Sequence, residues 1–311
     1  MMTDDNNLNT TRRYWRSLLH VPVTSRRMVD SAHVRGADAV LLDLEDGVAI
    51  AEKDEARRQL PTAIERVSRG HADILVRINR SWEWALRDLE VAIHPDVCGL
   101  ELPKVGNAEH VRVIAEMVQQ RAEKIGMIEA PCLVVTVETP QGILDLSAIA
   151  HSSDMVCGLQ LGTEDLATEV EVEPDSELLT GAHAMIVMVA RASGLLPLGL
   201  VGSILRYEDE IQFRALVRRS RRFGYVGATG IHPRQIPILN EEFTPSAEEL
   251  ERACGVVETF DRATARGAGA VIHDGSMIDE PVARRAHAIL RMSDTIKAEA
   301  ERRNSRVRSG G

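Results

Sequence analysis

Nowhere in the chain do 18 apolar residues run together, and the opening stretch, Met1 to Thr11, is polar and acidic with no apolar leader core. Neither a membrane helix nor an export signal is expected, and the reading is a cytoplasmic protein. The one dense basic run, Arg218, Arg219, Arg221 and Arg222, alternates around a helix and reads as a solvated face. The net charge is −10 and the other Lys and Arg residues are scattered, so no nucleic-acid partner is expected. The four cysteines, Cys98, Cys132, Cys157 and Cys254, have no C-x-x-C or zinc-type spacing, which points to reduced core thiols. None of the ten histidines forms an H-x-x-x-H pair, no Gly-x-Gly-x-x-Gly follows a strand, and neither a Walker sequence nor a Gly-x-Ser-x-Gly elbow occurs. Nucleotide hydrolysis and serine-hydrolase chemistry therefore have no support. No internal repeat stands out.

What the chain does have is 311 residues, 44% of them apolar, enough for a large core. It is organised around Leu133-Val134-Val135-Thr136-Val137-Glu138-Thr139-Pro140, a buried parallel strand that stops where a carboxylate emerges. Seven further runs read the same way: Ser17–Pro22, Ala39–Gly47, Ile74–Asn79, Gly99–Val105, Met155–Gly162, Leu196–Ile204 and Tyr225–His232. Segments of helical periodicity separate them, among them 26–35, 50–69, 108–123 and 177–193. Eight βα alternations predict a TIM-type (β/α)8 barrel over residues 14–233, with a doubly wound sheet as the alternative. A helical extension over 234–300 follows. It opens with a loop to Pro245, then a helix 247–264 begun by Ser246 with Glu249 at the capping-box position, a flexible glycine-rich joint 267–275 and a final helix 281–300. Such an appendage suits a lid or a subunit contact. Residues 1–13 and 301–311 read as disordered tails.

Polar residues gather at the strand ends, where α/β folds place their chemistry. Glu138 emerges at the end of the fifth strand and Asp165 follows the sixth, and two carboxylates can hold a hard cation such as Mg²⁺ while leaving positions for substrate oxygens. Equally, each acid can cap the helix that follows its strand. Asp43 and Glu45 share a face by strand alternation and are candidates to bind the waters of such an ion. Arg77 stands alone in an apolar strand, where its planar fork suits a substrate carboxylate or an ion pair with Asp43 or Glu45. Lys53 and Arg57, four apart on one helical face, suit a phosphate-bearing ligand or pairing with Glu52, Asp54 and Glu55.

Taken in order, Ser17-Leu18-Leu19-His20-Val21-Pro22, Leu42-Asp43-Leu44-Glu45-Asp46-Gly47, Val76-Arg77-Ile78-Asn79, Leu102-Pro103-Lys104, Glu138-Thr139-Pro140, Gly162-Thr163-Glu164-Asp165, Ile231-His232-Pro233 and Gly275-Ser276-Met277-Ile278-Asp279 resemble the citrate lyase β-subunit-like branch of the HpcH/HpaI aldolase superfamily, which includes malyl-CoA and citramalyl-CoA lyases. The resemblance spans about residues 16 to 290. It implies a trimeric or hexameric TIM barrel that binds Mg²⁺, or Mn²⁺ in its place, and makes or breaks a carbon–carbon bond next to a CoA thioester. Glu138 and Asp165 match the metal ligands, Arg77 the arginine on the keto-acid carboxylate, and Lys53 and Arg57 the CoA contacts. Asp279 matches the acid that a neighbouring subunit's extension lays over the site. Three segments depart from the family pattern: Val21-Pro22-Val23, Gly227-Ala228-Thr229 and Leu198–Ser203. A pyruvate aldolase acting on aldehydes without CoA, and a non-catalytic citrate-lyase-type subunit, are the competing expectations.

Overall fold

The structure, a computed structural model, describes residues 13–205 and 208–308. Residues 1–12 and 309–311, parts of the expected tails, lie outside the described residues. Eight parallel strands form one sheet: β1 (Ser17–Pro22), β2 (Ala39–Asp43), β3 (Asp73–Arg77), β4 (Val97–Leu102), β5 (Cys132–Val137), β6 (Val156–Leu161), β7 (Leu196–Leu198) and β8 (Ala228–Gly230). Their order is β7-β6-β5-β4-β3-β2-β1-β8, and a parallel bridge between Leu198 and Gly227 joins the two ends into a barrel. Gly227 allows that closure, because a Cβ there would run into the backbone of Trp15.

The apolar runs make strands because both faces are covered. Every residue of β2 is buried, as is all of β5 after Cys132, so almost no position alternates toward water. Strands β7 and β8 are shorter than expected. Pro197 lacks a ladder N–H, and Gly199 and Gly202, at φ +145 and +143, turn the chain out of the extended region.

The chain divides into two compact units, one running to Phe243 and taken up again from Arg306, and one spanning Thr244–Ser305. The boundary falls after Phe243 rather than Pro233 because residues 235–242, expected to be loop, form the helix Gln235–Glu242, whose Ile236 and Leu239 are buried where it packs on β1 and β8. In the second unit the helix Ala247–Thr264 opens with the expected capping box: Ser246 accepts the Glu249 N–H, and Glu249 accepts the Ser246 N–H. The glycine-rich joint is instead an antiparallel hairpin, β9 (Ala270–His273) and β10 (Ser276–Asp279). Its two turn residues, Asp274 and Gly275, have φ of +48 and +75, the backbone signature of a tight hairpin turn. The last helix, Glu280–Arg308, runs on through residues 301–308 that the sequence suggests as a tail. Among the described residues no helix is long and apolar enough to cross a membrane.

Candidate active site

A cavity of about 200 Å³ lies inside the barrel toward the C-terminal ends of the strands, and Glu138, Asp165 and Arg77 all line it. Glu138 follows the last residue of β5 and is 5% exposed. It does not cap the next helix. Thr139 does, accepting the Gly142 N–H at 3.1 Å, which leaves the Glu138 carboxylate for the cavity. Asp165 stands in the first turn of the helix Thr163–Glu169, where the helix dipole favours a carboxylate but no side-chain cap bond forms.

Glu138 accepts one hydrogen bond, from the backbone N–H of Lys104 at 2.6 Å. Burial, and then the nearby Asp165 carboxylate, push its pKa up to about 8. Gly162 makes room for it, since a Cβ at that position would collide with Glu138 Oε2. Among the described residues no three His, Cys, Asp or Glu side chains gather as a metal-binding group. Two hard oxygen donors whose charges repel still fit Mg²⁺, which keeps several waters and would relieve that repulsion.

Arg77 and Asp43 end adjacent strands in register, and they bind each other in two hydrogen bonds, Nε to Oδ1 at 2.6 Å and Nη2 to Oδ2 at 2.9 Å. His20 Nε2 lies 3.1 Å from Asp43 Oδ2, and the Glu45 and Gly47 N–H groups donate to the same carboxylate. Burial alone would raise the Asp43 pKa, but the hydrogen bonds from His20 and Arg77 hold it well below the usual range. One edge of the Arg77 guanidinium is therefore committed. Nη1 lies 3.5 Å from Glu45 Oε2, and the side chain is 19% exposed toward the cavity.

Glu45 belongs to a second ionic group. Lys104 Nζ donates to Glu45 Oε1 at 2.7 Å and to Asp46 Oδ2 at 2.6 Å. Lys104 occupies the left-handed region at φ +52, a costly conformation for a residue with a Cβ. Through it the backbone N–H reaches Glu138 while the ammonium reaches the acids after β2.

Lys53 and Arg57 are turned inward. Lys53 Nζ donates to the carbonyls of Leu44 and Glu45 at 2.8 and 2.6 Å and lies 5.3 Å from the centre of the Trp84 ring; burial lowers its pKa. Arg57 pairs with Asp88 and Asp54, both at 2.6 Å. Asp88 also accepts from the Asn79 backbone N–H and amide, so this group braces the loops after β2 and β3. None of Lys53, Arg57, Asp43 or Glu45 lines the cavity. Asp279 lies in the second unit, where it ends β10 and accepts the Val282 N–H at 3.2 Å at the start of the last helix.

Sequence reasoning passed over four residues that the structure puts beside these: Lys104, Glu101, Thr136 and Gln160. Glu101, Thr136 and Gln160 are polar residues inside apolar strands, the same signal that singled out Arg77. They line the cavity below Glu138, with Thr136 Oγ1 donating to Glu101 Oε1 at 3.0 Å. Lys104 stands in the Leu102-Pro103-Lys104 motif, but its left-handed backbone, which lets it reach both groups, cannot be read from composition.

Comparison with known proteins follows this geometry. The HpcH/HpaI aldolase/citrate lyase family model matches residues 16–233. Citrate lyase subunit beta of Escherichia coli strain K12 is 32% identical over 279 residues, covering 88% of this chain and 92% of the relative. The (3S)-malyl-CoA thioesterase of Cereibacter sphaeroides is 32% identical over 289 residues, covering 92% and 95%. Among solved structures, the protein CitE from Mycobacterium tuberculosis, in complex with magnesium, acetoacetate and coenzyme A, aligns with a TM-score of 0.71 at 26% identity, covering 92% of this chain and 99% of that one.

Proposed function

The chain belongs to the HpcH/HpaI aldolase/citrate lyase family, and we propose that within this family of lyases it is a Mg²⁺-dependent carbon–carbon lyase acting on a 3-hydroxy-carboxyacyl-CoA such as citramalyl-CoA or malyl-CoA. Its products are a 2-keto acid, such as pyruvate or glyoxylate, and an acyl-CoA. One observation carries the reading: Glu138 and Asp165 face a single cavity beside Arg77, with the Glu138 charge opposed by burial and by its neighbour. That is a site short of a cation. The magnesium complex of the Mycobacterium tuberculosis protein supports the same choice of ion.

Mg²⁺ held by Glu138 and Asp165 would supply positive charge to the oxygens where negative charge develops. Arg77 adds a fixed cation on the same wall, oriented by Asp43, and its Nη1 edge, 3.5 Å from Glu45 Oε2, is the one left to meet the substrate carboxylate. Lys104 holds Glu138 in position through its N–H. The bond between the thioester α-carbon and the hydroxyl-bearing carbon breaks, the hydroxyl gives up its proton to solvent as it becomes the keto group, and the α-carbon takes up a proton in its turn. Asp279, brought by the extension of a neighbouring subunit in a trimer or hexamer, is the group assigned to deliver that proton, and so must begin protonated. Lys53 and Arg57 have their inward partners, and their part in CoA binding is support of the loop after β2.

The test is a panel of malyl-, methylmalyl- and citramalyl-CoA with Mg²⁺, read for keto acid and for free thiol together. Keto acid without free thiol is the expected result. Free CoA thiol without keto acid would replace the lyase by a thioester hydrolase, the second reading that the (3S)-malyl-CoA thioesterase relatives favour. Condensation of pyruvate with aldehydes and no response to any thioester would instead establish the CoA-independent aldolase.

A further inference from the structure

Glu101 is 1% exposed, projects from β4 into the cavity, and is in register with Arg77 on β3. Arg77 stands between two carboxyl groups and gives its two hydrogen bonds to a carboxylate to Asp43, with Nη2 also 3.1 Å from His20 Nε2, and none to Glu101. What reaches Glu101 is neutral: the Thr136 hydroxyl at 3.0 Å and the Gln160 amide at 3.4 Å, both on Oε1. Among the described residues Oε2 is buried with no hydrogen-bond partner. Two donors on Oε1 mark it as the carbonyl oxygen, which puts the proton of the neutral acid on Oε2. Complete burial raises the pKa of this group, in accord with that assignment. The result is a hydroxyl donor at the cavity floor with nothing to receive it, an arrangement that costs stability unless a ligand brings the acceptor.

The size of the cavity decides which part of a substrate comes so deep. About 200 Å³ accommodates a small keto acid but not a CoA thioester, so the thioester half must lie toward the mouth and the keto-acid side chain toward the floor. On the lyase reading given above, we propose that Glu101 is a substrate-contacting, specificity-determining residue that donates from Oε2 to an uncharged oxygen on the keto-acid side chain, so that the site favours a 3-hydroxy-2-keto acid over pyruvate. A methyl group would leave the donor unpaired. A second carboxylate would bring a further negative charge into a floor whose one cation is already neutralised by Asp43.

The experiment is equilibrium binding of hydroxypyruvate, pyruvate and oxaloacetate to the full-length Mg²⁺-loaded protein, with no thioester present. The wild type is expected to bind hydroxypyruvate about tenfold more tightly than pyruvate, the discrimination that one buried unpaired donor supports. Glu101→Gln, whose amide can still donate from the same position, should keep the preference, and Glu101→Leu should lose it. Should Glu101→Leu fail to fold, infrared difference spectra of the wild type against Glu101→Gln still decide: a protonated-carboxyl band absent from the variant should shift with hydroxypyruvate and stay fixed with pyruvate. Equal binding of the two acids by the wild type, or a band unmoved by hydroxypyruvate, overturns the assignment. The two readings fail separately. Keto-acid release from thioesters without this preference removes only the role of Glu101, whereas the preference without thioester cleavage removes only the lyase.

Discussion

At the N-terminal end of the barrel strands, Asp38 accepts the Arg16 guanidinium in two bonds of 2.8 Å and the Arg16 backbone N–H as well, and Asp73 accepts the buried Trp15 indole N–H at 2.9 Å. At the C-terminal end, Glu138 accepts one backbone N–H and faces Asp165, and Glu101 has an oxygen with no partner among the described residues. Both ends bury carboxyl groups in the same sheet. One set is matched by donors inside the chain, and the other is matched only when something else arrives. Buried charge is costly in both places, so an acid left short of partners marks where a ligand completes the protein.

The comparison breaks first at Glu138. Replacing Glu138 by Gln should lower lyase turnover by roughly 10³-fold, because the ion it helps to hold supplies several kcal/mol of charge stabilisation. Thermal stability without Mg²⁺ should hold or rise, since the cost of keeping an acid buried beside Asp165 is gone. Activity measured beside a melting curve checks both, and retention of full Mg²⁺-dependent turnover would sink the metal assignment. The opposite pattern belongs to the other end. Asp38→Ala should cost about 3–5 kcal/mol of stability by stranding the Arg16 guanidinium, yet leave Mg²⁺ affinity and turnover unchanged below the melting point. Denaturant unfolding and Mg²⁺ titration of the same variant decide it.

Between these extremes lies Lys104, which touches Glu138 through its backbone and Glu45 and Asp46 through its ammonium. Lys104→Met keeps the N–H but leaves the two acids after β2 without their cation. Support lost from behind a metal ligand typically costs 10–100-fold in metal affinity or activity, and that is the range expected here. A Mg²⁺ affinity equal to the wild type would show that the ionic group only shapes the loop.

How far these contrasts could be read from sequence differs by residue. Glu138 was visible because an apolar strand runs into it, Asp165 because it closely follows one, and Ser246 with Glu249 because a capping box has fixed spacing. The partner of Arg77 was open between a substrate and Asp43, and only the register of β2 against β3 shows that Asp43 takes one edge of the guanidinium. Lys53 and Arg57 had the spacing of a shared helical face, but spacing does not say whether that face looks outward, and here it looks toward the β2 loop. The helix Gln235–Glu242 was hidden by Pro237, which is tolerated because the first turn of a helix has N–H groups to spare. Glu101 was legible by the rule applied to Arg77, a charged residue in an apolar strand, but without the three-dimensional cavity nothing distinguishes it from a paired core acid.

The smallest effect is a pH dependence, and its direction separates the two barrel ends. In the metal-free protein Glu138 holds its proton up to about pH 8, whereas the same side chain in an unfolded chain releases it near 4.3. Between those values the folded state binds the extra proton, so the contribution of this group to stability is complete below the lower value and is lost as pH rises toward the upper. Mg²⁺ reverses the sign by binding only the ionised form. Its dissociation constant should therefore rise about tenfold for each unit the pH falls below 8, and the melting-temperature gain from saturating Mg²⁺ should widen between pH 6 and pH 8. In Glu138→Gln both trends should flatten. In Asp38→Ala both should persist at the lower stability, because that carboxylate belongs to the end of the barrel whose charges are already matched.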